Sequence, residues 1–296
     1  MPICVIFNPA ARGQKASRFR RHLGDLAKDC VFKPTNAAGA AAILATDAVN
    51  EGFDTIVAAG GDGTINEVVS GIANAPDGLA RSRLGVLPLG TVNVFARELG
   101  VPMNLNRAWQ IVRNGRETRI DLPRVDYQSA GKPARRHFAQ LAGAGLDARA
   151  IELVSWKLKK KTGPLAYVVA GLKAIREKQP VLEVRCDHQS STGELVLVGN
   201  GRLYGGSFHV FPHADLRDGL LEICVFPKVN WSALFHCGAT LLTTARLPAS
   251  RAHHFRAQSF QMTGTPGTSF EVDGELAGQL PATFSVERLA LRVLVP

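Results

Sequence analysis

The sequence predicts an α/β protein whose N-terminal part is a doubly wound parallel-sheet domain and whose C-terminal part is an antiparallel β-sandwich domain. Two observations carry this. Across the first 120 residues short apolar runs alternate with helical patterns, and beyond residue 122 strand-like runs follow one another between clusters of Gly, Pro, Asp and Asn. Strands alternating with helices build parallel sheets, whereas successive short strands with turn signals build sandwiches and barrels. The expected domains are residues 1–122, to which a final strand at 283–296 returns, and residues 123–282.

Residues 3–7 read as a buried strand, followed by a turn at Asn8-Pro9 and a polar helix over residues 14–28. Residues 40–50 are Ala-rich and helical, and residues 55–59 form a second buried strand. Ile65, Val68, Val69 and Ile72 then fall at the spacing of one helix face. Residues 84–89 give another strand and 94–99 a short helix, with Gly100 as its stop. In the C-terminal part strands are expected at 181–186, 194–199, 208–211, 220–226 and 269–272, with one helical stretch over 151–178.

A length of 296 residues accommodates two domains, and 46% hydrophobic with 20% charged residues is ordinary for a globular enzyme. The net charge of +10 is not ordinary and calls for a negatively charged partner. Nucleotide, anionic membrane and nucleic acid all qualify, but no aromatic-interleaved basic motif of a nucleic-acid binder is present. Five cysteines without a C-x-x-C pair argue against a disulfide framework or zinc site and fit a reducing cytoplasm. The N-terminus lacks the pattern of a signal peptide, and the longest apolar runs fall far short of a membrane span, so membrane contact is expected to be peripheral.

The sharpest chemical feature is Gly60-Gly61-Asp62-Gly63-Thr64, between the second buried strand and the helix that follows. Glycines let backbone approach a ligand closely, and a helix N-terminus offers free N–H donors and a positive dipole end to a phosphate. Asp62 adds a carboxylate suited to magnesium, directly or through water, or to a proton. The segment is neither a Walker loop nor a dinucleotide fingerprint. Gly90-Thr91-Val92-Asn93 and Asn8-Pro9-Ala10-Ala11-Arg12-Gly13 also follow strands. In an open parallel sheet, three such loops gather at the carboxyl ends of the strands, where ligands bind. Taken alone, each is also a tight strand–helix connection.

The run from Val57 through Gly60-Gly61-Asp62-Gly63-Thr64-Ile65-Asn66-Glu67 to Val68 resembles the signature of the diacylglycerol kinase catalytic domain family. That family includes bacterial soluble diacylglycerol kinases and lipid kinases and the sphingosine and ceramide kinases. The resemblance continues, collinear, through Pro88-Leu89-Gly90-Thr91-Val92-Asn93, Phe95-Ala96-Arg97-Glu98-Leu99, Asn200-Gly201, Gly205-Gly206, Pro212-His213-Ala214, Asp218-Gly219-Leu220-Leu221 and Val272-Asp273-Gly274-Glu275. It implies an α/β nucleotide domain, related to phosphofructokinase and NAD kinase, packed on a β-rich domain with ATP in the cleft. By matching position, Gly60, Gly61, Asp62, Gly63, Thr64, Ile65 and Asn66 would hold ATP phosphates, with Thr91 and Asn93 from the second loop and Thr35 as a further nucleotide contact. It also implies a structural magnesium, with Asp218 as carboxylate ligand and backbone oxygens near Asp215 and Leu220.

Asp273-Gly274 after an alternating strand is a strong hairpin signal in its own right. The resemblance adds a chemical role: Glu275 would accept the proton of the substrate hydroxyl, with Asp273 as its acidic neighbour, whereas eukaryotic relatives assign the base to the aspartate matching Asp62. The chain departs from many bacterial members at Asn93-Val94, where they carry Asn-Asp. Valine cannot ligate a cation or bond its waters.

Trp156-Lys157-Leu158-Lys159-Lys160-Lys161 precedes an apolar run at 165–172. It reads equally as a solvated charged face and as a cluster that docks on anionic lipid. His253-His254, His209 and His213 lack the further ligands of a metal site. The reading that follows is an ATP- and Mg2+-dependent kinase acting on a hydroxyl of diacylglycerol or a similar lipid, cytoplasmic and peripherally bound to membrane. The alternatives are a kinase of a soluble metabolite, NAD-kinase-like, and a catalytically weak lipid-binding protein.

Overall fold

The computed structural model describes residues 2–9, 30–154, 165–187, 189–248 and 251–296. The expected helix at 14–28 and the basic cluster at 157–161 lie outside those residues. The chain divides into two compact units, Met1–Leu122 with His137–Ala139 and Glu287–Pro296, and Pro123–Arg136 with Gln140–Val286.

The first unit contains, in chain order, β1 (Ile3–Phe7), β2 (Cys30–Pro34), α1 (Ala40–Asn50), β3 (Thr55–Gly60), α2 (Asp62–Asn74), α3 (Gly78–Arg81), β4 (Arg83–Pro88), α4 (Val94–Glu98), α5 (Leu105–Asn114) and the start of β5 (Arg116–Ser129). β1 pairs in parallel with β2 on one side and β3 on the other, and β3 pairs in parallel with β4. The order is therefore β2-β1-β3-β4, with the end of the chain's last strand beyond β4. Every residue of β3 is buried, as a strand covered on both faces requires, and Ile65, Val68, Val69 and Ile72 of α2 are fully buried. Going from β1 to β2 the chain moves one way along the sheet, and from β3 to β4 the other. β1 and β3 thus flank a topological switch point, where the loops that follow them open a crevice for ligands.

Among the described helices α3, α5 and one in the second unit were not foreseen, and the caps of the two longer ones show how they start. Asn104 accepts from the Arg107 N–H at 3.1 Å ahead of α5, and Asn230 accepts from the Ala233 N–H at 2.8 Å ahead of a helix in the second unit.

That second unit continues with β6 (Lys132–His137), β7 (Leu141–Gly145), α6 (Leu146–Leu153), α7 (Leu165–Ala174), β8 (Leu182–Cys186), β9 (Gln189–Gly193), β10 (Leu195–Gly199), β11 (Leu203–Tyr204), β12 (Phe208–His209), β13 (Leu221–Phe226), α8 (Trp231–Thr244), β14 (His253–Ala257), β15 (Ser259–Gly264), β16 (Ser269–Val272), β17 (Glu275–Gln279) and β18 (Ala282–Val295). One antiparallel sheet runs β14-β13-β10-β7-β16-β17. In the other, β8 pairs with β9 and β15, and β15 pairs with the first residues of β18. Phe270 of the first sheet meets Phe284 of the second edge-on at 5.7 Å, and Phe284 stacks on Phe260 at 5.1 Å. That aromatic stack is the core of the sandwich.

The single helical stretch expected over 151–178 is instead α6 and α7. α6 begins five residues earlier than expected, at Leu146, and stops at Leu153 because Val154 turns extended. The strand expected at 208–211 is confined to Phe208–His209, because Val210 N–H turns back to the Phe208 carbonyl.

Candidate active site

In the first unit the loops after β3 and β4 meet through glycine backbone. A Cβ on Gly90 would lie 2.5 Å from the Gly61 Cα, and one on Gly61 would lie 3.3 Å from the Gly90 Cα. The Leu89 and Gly90 N–H groups both donate to the Gly60 carbonyl, at 2.9 and 3.2 Å. Only residues without side chains permit this approach. Gly61 is the N-cap of α2 and provides no side-chain cap, so the first turn, carrying Asp62, Gly63 and Thr64, begins with donors that no cap occupies. The same turn is where the helix dipole is positive.

Asp62 is tied across to the second loop. Its Oδ1 accepts the Phe95 N–H at 3.2 Å and so caps α4. Asn93, at φ 54° in the left-handed region, donates from Nδ2 to the Gly90 carbonyl at 2.7 Å. Its Oδ1 is buried without a hydrogen-bond partner among the described residues. A buried acceptor left open in this way suits a donor from a ligand, such as a ribose hydroxyl or a metal-bound water. Thr91 is exposed and Thr64 half-buried, whereas Ile65 and Asn66 are buried. Ile65 sends its N–H to the Gly61 carbonyl at 3.1 Å and its side chain into the core, so its direct service is to α2. Val94 is also buried, at 7% exposure, and leaves Asp62 as the carboxylate between these two loops.

Thr35 follows β2 and donates its N–H to the Phe7 carbonyl at 2.9 Å. The Thr35–Gly39 segment is held to α2 by Glu67, whose two oxygens accept the Gly39 and Ala41 N–H groups, both at 2.9 Å. Glu67 therefore caps α1 from a different helix. The sequence signature contains Glu67, but nothing in it showed that its partners lie 26 and 28 residues away.

In the second unit, β16 and β17 form a hairpin whose turn is Asp273-Gly274, at φ 48° and 84°. Both residues are left-handed, as a two-residue primed turn requires. Asp273 Oδ1 accepts the Gln140 and Leu141 N–H groups at 2.9 and 3.0 Å, and Asp273 N–H donates to the Leu141 carbonyl at 2.9 Å. The Asp273 carboxylate thus fixes the turn to the start of β7. Glu275 stands on β17 with Oε2 2.6 Å from Arg136 Nη2, its side chain 45% exposed. Asp273 and Glu275 are brought to one turn, with the first anchored and the second open to solvent.

The segment expected to hold a structural magnesium is satisfied by the chain's own groups. Asp218 Oδ1 accepts the Leu220 N–H and its Oδ2 accepts from Arg256 Nη1, both at 2.9 Å. Asp215 Oδ1 accepts the Arg217 N–H at 3.0 Å, and the Ala214 carbonyl accepts from Arg202 Nε at 3.0 Å. Among the described residues no three His, Cys, Asp or Glu side chains gather to hold a metal ion. A cation beside Asp218 would compete with a guanidinium already there. Asp218 thus already has two donors of the chain, and no chemical step is routed through Asp215, Asp218 and Leu220. His254 also has a structural partner, with Nδ1 2.8 Å from Oε1 of buried Glu222.

Comparison with known proteins shows the family. The family profile for the diacylglycerol kinase catalytic domain matches residues 2–125, and that for the YegS C-terminal NAD kinase beta sandwich-like domain matches residues 140–295. The chain is 31% identical to a diacylglycerol kinase of Staphylococcus aureus over 290 residues, 95% of this chain and 88% of that one. The chain belongs to the diacylglycerol kinase family. A Staphylococcus saprophyticus diacylglycerol kinase is 31% identical over 88% of this chain and 83% of its own. The crystal structure of a diacylglycerol kinase from Bacillus anthracis aligns over 100% of this chain and 97% of that one, with a TM-score of 0.72 at 21% identity. Yeast NADH kinase shares the fold, at a TM-score of 0.56 and 10% identity over 100% of this chain and 84% of its own. The family's Gly-Gly-Asp-Gly-Thr run is thus the uncapped start of α2 in this diacylglycerol kinase relative.

If the glycine contact shapes the nucleotide site, Gly90→Ala will weaken ATP binding by about tenfold or more while costing about 1–3 kcal/mol of stability. Calorimetric titration of ATP and thermal denaturation of the same preparation check this. Unchanged affinity would show that the two loops need not touch for the nucleotide to bind.

Proposed function

We propose that the protein is an ATP-dependent kinase that phosphorylates a hydroxyl of diacylglycerol or a similar membrane lipid. The observation that carries this reading is the uncapped N-terminus of α2 at Gly61–Thr64, in a chain 31% identical to diacylglycerol kinases over nearly its whole length. Magnesium enters with the nucleotide as MgATP. Asp62 and the open Asn93 Oδ1 are the groups that suit its waters.

In the reaction the lipid hydroxyl oxygen forms a bond to the γ-phosphorus, the bond from that phosphorus to the β,γ-bridging oxygen breaks, and ADP leaves. The N–H donors of Gly61, Asp62, Gly63 and Thr64 stabilise charge on the phosphate oxygens. The hydroxyl proton passes to a carboxylate, and Glu275 is assigned that part, oriented by Arg136. Asp62 is placed by its bond to the Phe95 N–H.

A lipid substrate is favoured by the surface of the second unit. Trp231, Phe235 and Leu242 of α8 are 39%, 72% and 81% exposed, and their spacing puts them in one stripe. The opposite face, through Cys237 and Leu241, packs on the core around Phe211 and Phe226. α8 itself carries no Asp, Glu, Lys or Arg. From residue 223 to residue 270 the chain has four Lys or Arg and no Asp or Glu, and the Arg176 guanidinium lies 5.9 Å from the Trp231 ring. An apolar aromatic stripe in a positive setting fits an anionic lipid surface. Among the described residues no helix is long and apolar enough to cross a membrane, so contact through α8 would lie in the interface.

Incubation with γ-labelled ATP and a panel of dispersed lipids should transfer label to a diacylglycerol-like lipid, and Asp62→Asn, which keeps the α4 cap acceptor, should abolish the transfer. Label moving only to a soluble acceptor would overturn the lipid reading. Replacing Trp231, Phe235 and Leu242 together by Ser should weaken binding to phosphatidylglycerol-containing vesicles by about tenfold or more, given the apolar area withdrawn. A variant that binds vesicles as wild type does, or a wild type that uses this stripe to dimerise, would assign α8 a different occupant.

A further inference from the structure

The turn at Asp273-Gly274 rests on two carboxyl groups that the reaction described above does not use. Glu271 of β16 is 0% exposed, and its Oε2 accepts the Gly274 N–H at 2.7 Å. Its Oε1 is buried with no hydrogen-bond partner among the described residues. Asp147, in the first turn of α6, is half-buried, and its Oδ1 accepts the Tyr204 hydroxyl at 2.6 Å. The remaining oxygens of the two groups lie over the same glycine. Gly143 is the cross-strand partner of Glu271, and a Cβ on it would come 2.5 Å from Asp147 Oδ2 and 3.1 Å from Glu271 Oε1. Any side chain at 143 would occupy the space where the carboxyls meet.

An ionised carboxylate has acceptors only, so two of them cannot hydrogen-bond without a proton between them. Two negative charges side by side would also repel, and that of Glu271 would lack solvation. The neighbouring groups do not relieve this. Tyr204 donates one hydrogen bond, and Asp273 adds negative charge. On α6, Arg149 is paired with Glu152 and Glu177, and on β17 Glu275 is paired with Arg136. Lys173 of α7 is exposed, and β7 and β10 carry no titratable side chains. The solution left is one proton held by the pair.

We propose that Asp147 and Glu271 share one proton at neutral pH, and that this pair is a positioning device for the Asp273-Gly274 turn and so for Glu275. The positioning role rests on the reading of Glu275 as proton acceptor; the shared proton does not. Burial, and then the negative charge of Asp147, raise Glu271 well above the usual carboxylate range, and burial raises Asp147 as well. Glu271 is the group that keeps the proton. It donates through Oε1 to Asp147 Oδ2, while its Oε2 stays free to accept from Gly274 N–H.

The sign of the pH dependence follows. In the unfolded chain Glu271 loses its proton near about pH 4.3, whereas the folded chain holds it to higher pH. Between those two values the folded state binds the additional proton, so its stability falls as pH rises. Glu271→Gln imitates the protonated acid: its amide N–H₂ donates to Asp147 and its oxygen accepts from Gly274.

The test measures thermal stability of wild type, Glu271→Gln and Asp147→Asn from about pH 5 to about pH 9, a range that starts above the unfolded carboxyl value, together with kcat and KM for MgATP. Both amide variants should gain stability relative to wild type as pH rises. Glu271→Gln should keep kcat within about twofold, and Glu271→Ala should lower it about tenfold or more at unchanged KM, as expected for a misplaced group. A pH-independent stability difference for both amide variants overturns the shared proton. Equal kcat losses in Glu271→Gln and Glu271→Ala overturn the positioning role. Wild type without phosphoryl transfer sinks the reading of Glu275 and the positioning role with it, while the stability curves still decide the proton.

Discussion

The candidate site of the first unit depends on the contact between two glycine backbones, Gly61 and Gly90, with no room for a Cβ at Gly90. It brings the end of β3 against the end of β4 and leaves the first turn of α2 without a side-chain cap. The other features of the loops serve that arrangement. Asp62 stitches the second loop to the first, Asn93 closes the second loop on itself, and Glu67 fixes the segment that carries Thr35. A parallel sheet with its switch point at β1 and β3 places such loops at one edge, and small residues there trade local stability for access to the backbone.

The second unit solves a different problem, holding carboxyl groups in a β-rich core. Glu222 and Glu271 are both fully buried, and each has its partners built around it. Glu222 takes His254 and the His213 N–H, and Glu271 takes the Gly274 N–H and faces Asp147. In both cases a carboxyl group anchors a loop or turn that packing alone would leave free to move. The arginines at Ala214 and Asp218 do the same for the segment at 213–220. The chain uses its own cations there, and the positive surface around α8 is left facing outward.

Much of this was legible in the sequence, for physical reasons. β3 could be read because a strand buried on both faces is apolar throughout, and α2 because its buried residues recur at the helical period. The hairpin was legible because Asp-Gly favours a primed turn. The rest depended on contacts distant in sequence. Glu67 stood only as part of the run up to Val68, since its partners at Gly39 and Ala41 are adjacent only after folding. Glu271 sits between Phe270 and Val272 in a strand whose alternation predicts an outward side chain, yet α6 covers that face and buries it. α8 was missed although Asn230 was a readable cap, because the surrounding residues suggest strands.

The proposed function is that of a kinase whose nucleotide site is made of backbone and whose second substrate is met at a surface. The most direct measurement is turnover in mixed micelles, varying the mole fraction of diacylglycerol at constant bulk concentration. A lipid kinase working at an interface predicts a rate that follows the mole fraction and falls when inert detergent dilutes the surface. A rate that follows bulk concentration alone, unaffected by surface dilution, would contradict the account.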